Sequence, residues 1–176
     1  MRAALRVTGV LLLVVLAAPF VWSLATGDSF MTVTGRSMEP TYHVGDVLVV
    51  QRPAGDELHR KGQIVVVSLP ASQSGTQRYV HRVVEPTADG AWLQGDNNDS
   101  RDPRPVTAAD VEGAPRAAIS GTAADAFAWG QTWYGRLALV AAASAALLVP
   151  VPRRRSRHVA TSRRRFRSTV LDGGAA

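Results

Sequence analysis

Apolar and polar residues divide the chain into three zones. Val7–Leu24 holds no charged residue, and Leu137–Val151 is a second apolar run, shorter and rich in alanine. Between them the pattern changes to short β-branched runs broken by Gly, Pro and Asp. Val7–Leu24 has about the length that a helix needs to cross a bilayer core, ~20 residues. Met31–Val33, Val47–Val50, Gln63–Leu69, Arg78–Glu85 and Ala91–Gln94 read as strands. Gly45-Asp46, Arg52–Asp56, Lys61-Gly62 and Pro86–Gly90 are the turns between them. Pro70–Thr76 reads as a polar loop, and Gly95–Pro105 as a long loop of turn-forming residues. Thr107–Val111 is expected to make one helical turn and Ile119–Gly121 a last strand. The expected fold is mainly β, a small all-β domain between an N-terminal and a C-terminal transmembrane helix. Its parts would be an anchor at 1–25, the β domain at 26–135, a second transmembrane helix at 136–152 and a basic, unfolded tail at 153–176.

Charge sharpens this picture. The net charge of +6 is concentrated in Arg153–Arg157 and Arg163–Arg167, and between Asp28 and Arg136 acids outnumber bases. A basic nucleic-acid-binding face is therefore not expected in the folded part. Arg2 and Arg6 precede the first apolar run, and Arg153–Arg157 follows the second. By the positive-inside rule both ends face the cytoplasm and the middle lies outside, in a multi-pass cell-membrane protein. The tail is then a topology determinant that also meets anionic lipid. Cleavage of the first run as a signal peptide near Ser23-Leu24-Ala25 is the alternative. The run is long for that, and Pro19 and Trp22 suit an interface anchor. For the second run, a buried core helix is the alternative.

The chain has no cysteine, which excludes disulfides, thiolate metal sites and a cysteine nucleophile. Asp96, Asn98 and Ser100 or Asp102 have the spacing of an oxygen-ligand loop. The glycine and closing glutamate of a calcium loop are absent there, so no metal and no cofactor is expected.

The remaining polar residues suggest acyl transfer. Gly35-Arg36-Ser37-Met38-Glu39-Pro40 puts a serine in a turn stopped by proline. A serine attacks a carbonyl only with a base to take its proton and donors for the oxyanion. Lys61, the only lysine, sits in the charged turn Arg60-Lys61-Gly62, where it stays solvated and protonated. His81 lies in the apolar strand Val80-His81-Arg82-Val83, with alternation sending His81 and Arg82 to opposite faces. His43, His59 and His158 fit less well: two are in polar turns and one is in the tail. Asp96, Asp99 and Asp102 share one loop. Asp96 is expected to tie its own turn, whereas Asp102, extended before Pro103, is free to reach another element.

Together Ser37-Met38-Glu39-Pro40, Val80-His81-Arg82-Val83 and Gly95-Asp96-Asn97-Asn98 with Asp102 resemble the signal peptidase I family. The histidine resembles the branch found in archaea, the endoplasmic reticulum and some Gram-positive bacteria, where other bacteria have lysine. The resemblance runs from the first apolar segment to about Asp102. It implies a membrane-anchored serine endopeptidase that removes signal peptides from exported preproteins. Ser37 would be the nucleophile, His81 the general base, Asp102 its acidic partner, Asp96 a structural or alternative acid, and Met38 a substrate contact. The partners implied are preproteins and membrane lipid. A specialised peptidase with few substrates, or a silent adapter of the same fold, are the alternatives. Two departures stand out. The family usually has Ser-Gly before the nucleophile, here Gly35-Arg36, and Arg101 replaces a frequent second aspartate.

Overall fold

The computed structural model describes residues 2–71 and 75–148. The elements are α1 (Arg2–Thr26), β1 (Ser29–Thr32), β2 (Val47–Gln51), β3 (Ile64–Ala71), β4 (Gly75–Thr87), β5 (Gly90–Gln94), β6 (Val111–Ile119), α2 (Gly121–Gln131) and α3 (Trp133–Leu148). Single 3-10 turns at Glu57–His59 and Ala108–Asp110 precede β3 and β6. The strands form one antiparallel sheet in the order β1-β2-β6-β3-β4-β5.

The core lies on both faces of β3. Val65 and Val67 join Leu58, Val83, Ala91, Leu93, Val106 and Val111 on one side. Val66 joins Val33, Met38, Leu48, Val50 and Val80 on the other. A strand buried on both faces reads as a continuous apolar run, and Ile64–Val67 is one. Complete burial of each such valine contributes roughly 1.5–3 kcal/mol before the entropy of ordering is subtracted.

Two strands differ from expectation. Pro70–Thr76 is not simply a loop: β3 and β4 continue as a hairpin through the Ala71–Gly75 pair. The β3–β6 pairing ends at Val67, so Pro70 lies on a free edge, where its missing N–H costs no ladder bond. The final strand is the whole of Val111–Ile119, not Ile119–Gly121. Gly113 and Pro115 disguised it. At Gly113 (φ +154°) a Cβ would lie 1.9 Å from the Gln51 carbonyl oxygen. Only glycine permits that approach where β6 bulges between β2 and β3.

The helices lie together at one end. Gly9 is buried against α3, where an added Cβ would meet Leu147 Cγ at 2.9 Å and the Ala143 carbonyl oxygen at 3.0 Å. The start of α1 thus meets the end of α3, and the pair is antiparallel. α1 is tied to the sheet at its other end. Trp22 Nε1 donates to Asp28 (2.9 Å), Arg116 reaches the same buried carboxylate (3.3 Å), and Arg52 Nε donates to the Gly27 carbonyl (3.3 Å). Phe30 of β1 packs on Phe127 of α2, ring centroids 5.1 Å apart. α2 was not foreseen, and α3 starts before the expected 136. Among the described residues only α1 is long and apolar enough to cross a membrane by itself. α3, with 16 residues, spans about 24 Å at 1.5 Å per residue and falls short of a typical bilayer core. The expected continuation to 152 and the tail at 153–176 lie outside the described residues.

Candidate active site

The turn after β1 is fixed from below. Met38 is fully buried against Leu48, Val50, Val66 and Val80. The Glu39 and Tyr42 N–H groups close turns onto the Arg36 and Met38 carbonyls at 3.1 and 2.9 Å. With Met38 plugged into the core, its neighbour Ser37 is thrown out to the edge of the sheet. Met38 is buried, and it lines a concavity beside Ser37. It is the peg that sets the height of Ser37.

On β4, Tyr79, His81 and Val83 alternate onto one face, while Arg82 points to the other. β5 pairs with β4 through Val83–Leu93, and the Leu93 carbonyl accepts the Asp102 N–H at 2.8 Å. The Ala91–Val106 bridge closes the loop behind it. Chain folding thus returns Asp102 to the side of His81.

The three residues form a continuous series. His81 Nδ1 donates to the Asp102 carboxylate, 2.9 Å from both oxygens. Nε2, left as acceptor, takes the Ser37 hydroxyl at 3.1 Å. His81 and Asp102 are 8 % and 9 % exposed, so the pair is shielded from water while the serine borders a cleft. The Tyr79 ring packs edge-on against the imidazole at 4.8 Å. Burial, reinforced by the negative charge of Asp102, pushes the Tyr79 phenol well above its ordinary value. Tyr79 therefore stays protonated at neutral pH. It was missed in the sequence, although its position two residues before His81 in a strand places it on the same face.

The Asp96 side chain reaches beyond its own turn. Arg82 grips it with Nε (2.8 Å) and Nη2 (2.7 Å), and the Thr41 hydroxyl donates to it. The Arg82 hydrogen bonds, followed by that of Thr41, hold its carboxyl below the ordinary aspartate range. Arg82 Nη1 also donates to the Gly62 carbonyl at 2.9 Å. The pair joins the serine turn, β4 and the final loop on the side away from His81. Arg101, the unusual residue of the last motif, stacks on Trp92 (4.0 Å) and bonds Glu85 (2.9 Å). Lys61, His43 and His59 are exposed, and His158 lies outside the described residues.

Two concavities meet at the serine. One borders Ser37, His81, Asn98, Asp102 and Arg104; the other borders Met31, Val33, Gly35 and Val80. Ser37, Gln77 and Tyr79 line both. No group of three or more His, Asp or Glu side chains suited to hold a metal occurs among the described residues.

A hydroxyl, an imidazole and a carboxylate in series are the arrangement that serine hydrolases use. The chain belongs to the Peptidase S24-like family, whose model matches residues 14–138, well over half its length. That match begins within α1 and ends within α3. The family includes LexA-type repressors, so membership carries serine peptidase chemistry and leaves the substrate to other arguments. No curated protein matches the chain.

Proposed function

We propose that this protein is a membrane-bound serine endopeptidase of the signal peptidase I type, serine–histidine branch, which cleaves signal peptides from exported preproteins. The observation that carries the reading is the Ser37–His81–Asp102 series at the foot of an anchor helix. His81 takes the Ser37 proton as Oγ attacks the scissile carbonyl. Asp102 holds the imidazole in the right tautomer and stabilises its charged form. His81 then gives the proton to the leaving amine, and water releases the acyl group by the reverse transfers.

Position favours a membrane-borne substrate. Only 6 % of the apolar stretch of α1 is buried in the protein, which suits lipid rather than a core. Ser37 follows the end of α1 closely enough that a fully extended chain, at about 3.3 Å per residue, keeps it within about 40 Å of the bilayer. A signal peptide's cleavage point emerges at the same depth. We take α3 to enter the bilayer beside α1, with both termini cytoplasmic and the β domain outside. Exposed Phe20, Trp22, Trp129, Trp133 and Tyr134 lie near the junction of helices and sheet, where amphipathic rings settle at the lipid headgroups. Between Asp28 and Arg136 acids outnumber bases, which does not favour a nucleic-acid partner, and the proposed reaction needs no cofactor.

The test is cleavage of a model preprotein by the purified full-length chain in lipid. Wild type should release the mature protein and Ser37→Ala should not. Equal rates would end the enzymatic reading.

A further inference from the structure

Attack by Ser37 leaves negative charge on the former carbonyl oxygen, and the largest catalytic contribution usually comes from donors already aimed at it. The residue just before the nucleophile does not supply one. Arg36 is 80 % exposed and turns towards Glu39 at 3.9 Å.

The turn Gly95–Asn98 lies directly against the nucleophile. Asn97 N–H donates to the Ser37 carbonyl (2.8 Å), and Asn97 Nδ2 donates to the Arg36 carbonyl (3.2 Å). A Cβ on Gly95 would stand 2.5 Å from the Ser37 carbonyl oxygen and 2.9 Å from both Ser37 Cβ and Asn98 Nδ2. The last two atoms therefore flank one point and lie within twice that distance of each other. The Asn98 backbone is held at both ends: its N–H donates to the Gly95 carbonyl (3.0 Å) and its carbonyl accepts from Gln94 Nε2 (2.7 Å). Its side-chain amide has no hydrogen-bond partner among the described residues and borders the same cleft as Ser37 and His81. The Ser37 backbone N–H likewise makes no bond among them.

We propose that Asn98 is a catalytic residue whose side-chain N–H, together with the Ser37 backbone N–H, hydrogen-bonds the oxyanion. This rests on the peptidase reading. As Ser37 Oγ bonds to the carbonyl carbon, its proton passes to His81 Nε2 and the carbonyl π pair moves onto oxygen, where Asn98 receives it. When the tetrahedral species collapses the π bond re-forms, the C–N bond breaks, and the amine leaves with the proton from His81. An amide suits this place better than a cation because it adds no charge that would oppose protonation of His81.

The experiment measures preprotein cleavage by full-length wild type, Asn98→Ala and Asn98→Asp, with thermal melting as the check on folding. Asn98→Ala should lower kcat about 100- to 1,000-fold with little change in KM and in melting temperature. Asn98→Asp keeps the size of the side chain but puts an anion beside a developing anion, so it should be slower still. A peptide aldehyde, whose adduct with Ser37 carries the same oxyanion, should lose affinity for Asn98→Ala by a similar factor. The corresponding peptide alcohol, which forms no adduct, should bind both proteins equally. Wild-type kcat in Asn98→Ala, an aspartate variant faster than the alanine variant, or equal losses for aldehyde and alcohol would each overturn the assignment. Those results require an active wild type, so they are distinct from failure of the peptidase reading, in which wild type and Ser37→Ala are alike.

Discussion

The catalytic edge of the sheet and the helical end are built by opposite means. Around Ser37 a buried methionine supports the turn and directed bonds set the rest: Asn97 on the backbone, Asp102 behind the imidazole, and Asp96 with Arg82 on the far side. Between α1 and α3 no side-chain hydrogen bond crosses among the described residues, and close contact rests on small residues at Gly9 and Ala143. The contrast fits the solvents. Water competes for polar partners, so a precise site needs many of them at once. Lipid, the surroundings proposed for the helix pair, offers no hydrophobic drive between helices, so close packing would have to hold it. Changes at the first region should therefore act on rate, and changes at the second on assembly.

The largest effects should fall on the base. His81→Ala removes the proton acceptor for Ser37 and should lower kcat by at least about 10⁴-fold, as in other triads. Lys61→Ala, at an exposed turn, should leave the rate within twofold. Both are read from initial rates of preprotein cleavage. The reverse pattern would transfer the base to lysine and dissolve the catalytic half of the comparison.

Next comes the support of that base. Asp102→Asn should cost about 10³–10⁴-fold, because an amide can stabilise the wrong imidazole tautomer. Tyr79→Phe keeps the ring against His81 but removes the hydroxyl that feels the Asp102 charge, a polar interaction of ~1 kcal/mol. A fall in kcat of about three- to tenfold is expected, with unchanged KM. If Tyr79→Phe instead raised KM alone, the phenol would serve the cleft and not the carboxylate.

What the sequence made legible follows from how local each signal is. Ser37, His81 and Asp102 were recoverable because a turn, a strand period and an X-Pro step are each written in a few adjacent residues. The structure brings all three together. The surroundings of Met38 and Asp96 were not legible for a shared reason: their partners are remote. Nothing near Met38 shows that Val66 and Val80 will close over it, and nothing near Asp96 shows that Arg82 and Thr41 will reach it. Strand β6 hid behind Gly113 and Pro115, residues that oppose a strand until the bulge is known. α2 went unread because Gly121–Gln131 shows no clear apolar stripe, and its helix is supported by contacts such as Phe127 on Phe30.

The Asp96–Arg82 pair tests whether the far side of the site is scaffold or chemistry. The folded carboxyl lies below the ordinary aspartate value of ~3.9, so the unfolded chain binds the proton more readily. The pair's contribution is complete above that value and is lost as pH falls through the depressed folded one. Asp96→Asn should therefore lower the melting temperature at neutral pH and flatten its decline in acid. At a temperature where the variant is folded, kcat should fall much less than in Asp102→Asn. An unchanged acid profile would show that Arg82 does not hold Asp96 in solution.

The smallest effect on catalysis, and the sharpest statement of the contrast, belongs to Gly9. A leucine there places its Cβ 3.0 Å from a backbone carbonyl of α3, which cannot move aside as a side chain can. The helices must separate, and the dispersion contacts between them are lost. The β domain does not depend on that contact, because α1 is joined to the sheet independently through Trp22, Asp28 and Arg116. Gly9→Leu should thus weaken cross-linking between cysteines introduced on α1 and α3 while kcat in detergent stays within twofold. A parallel loss of kcat would mean that the helix pair sets the geometry of Ser37 after all, and that the two regions are mechanically one.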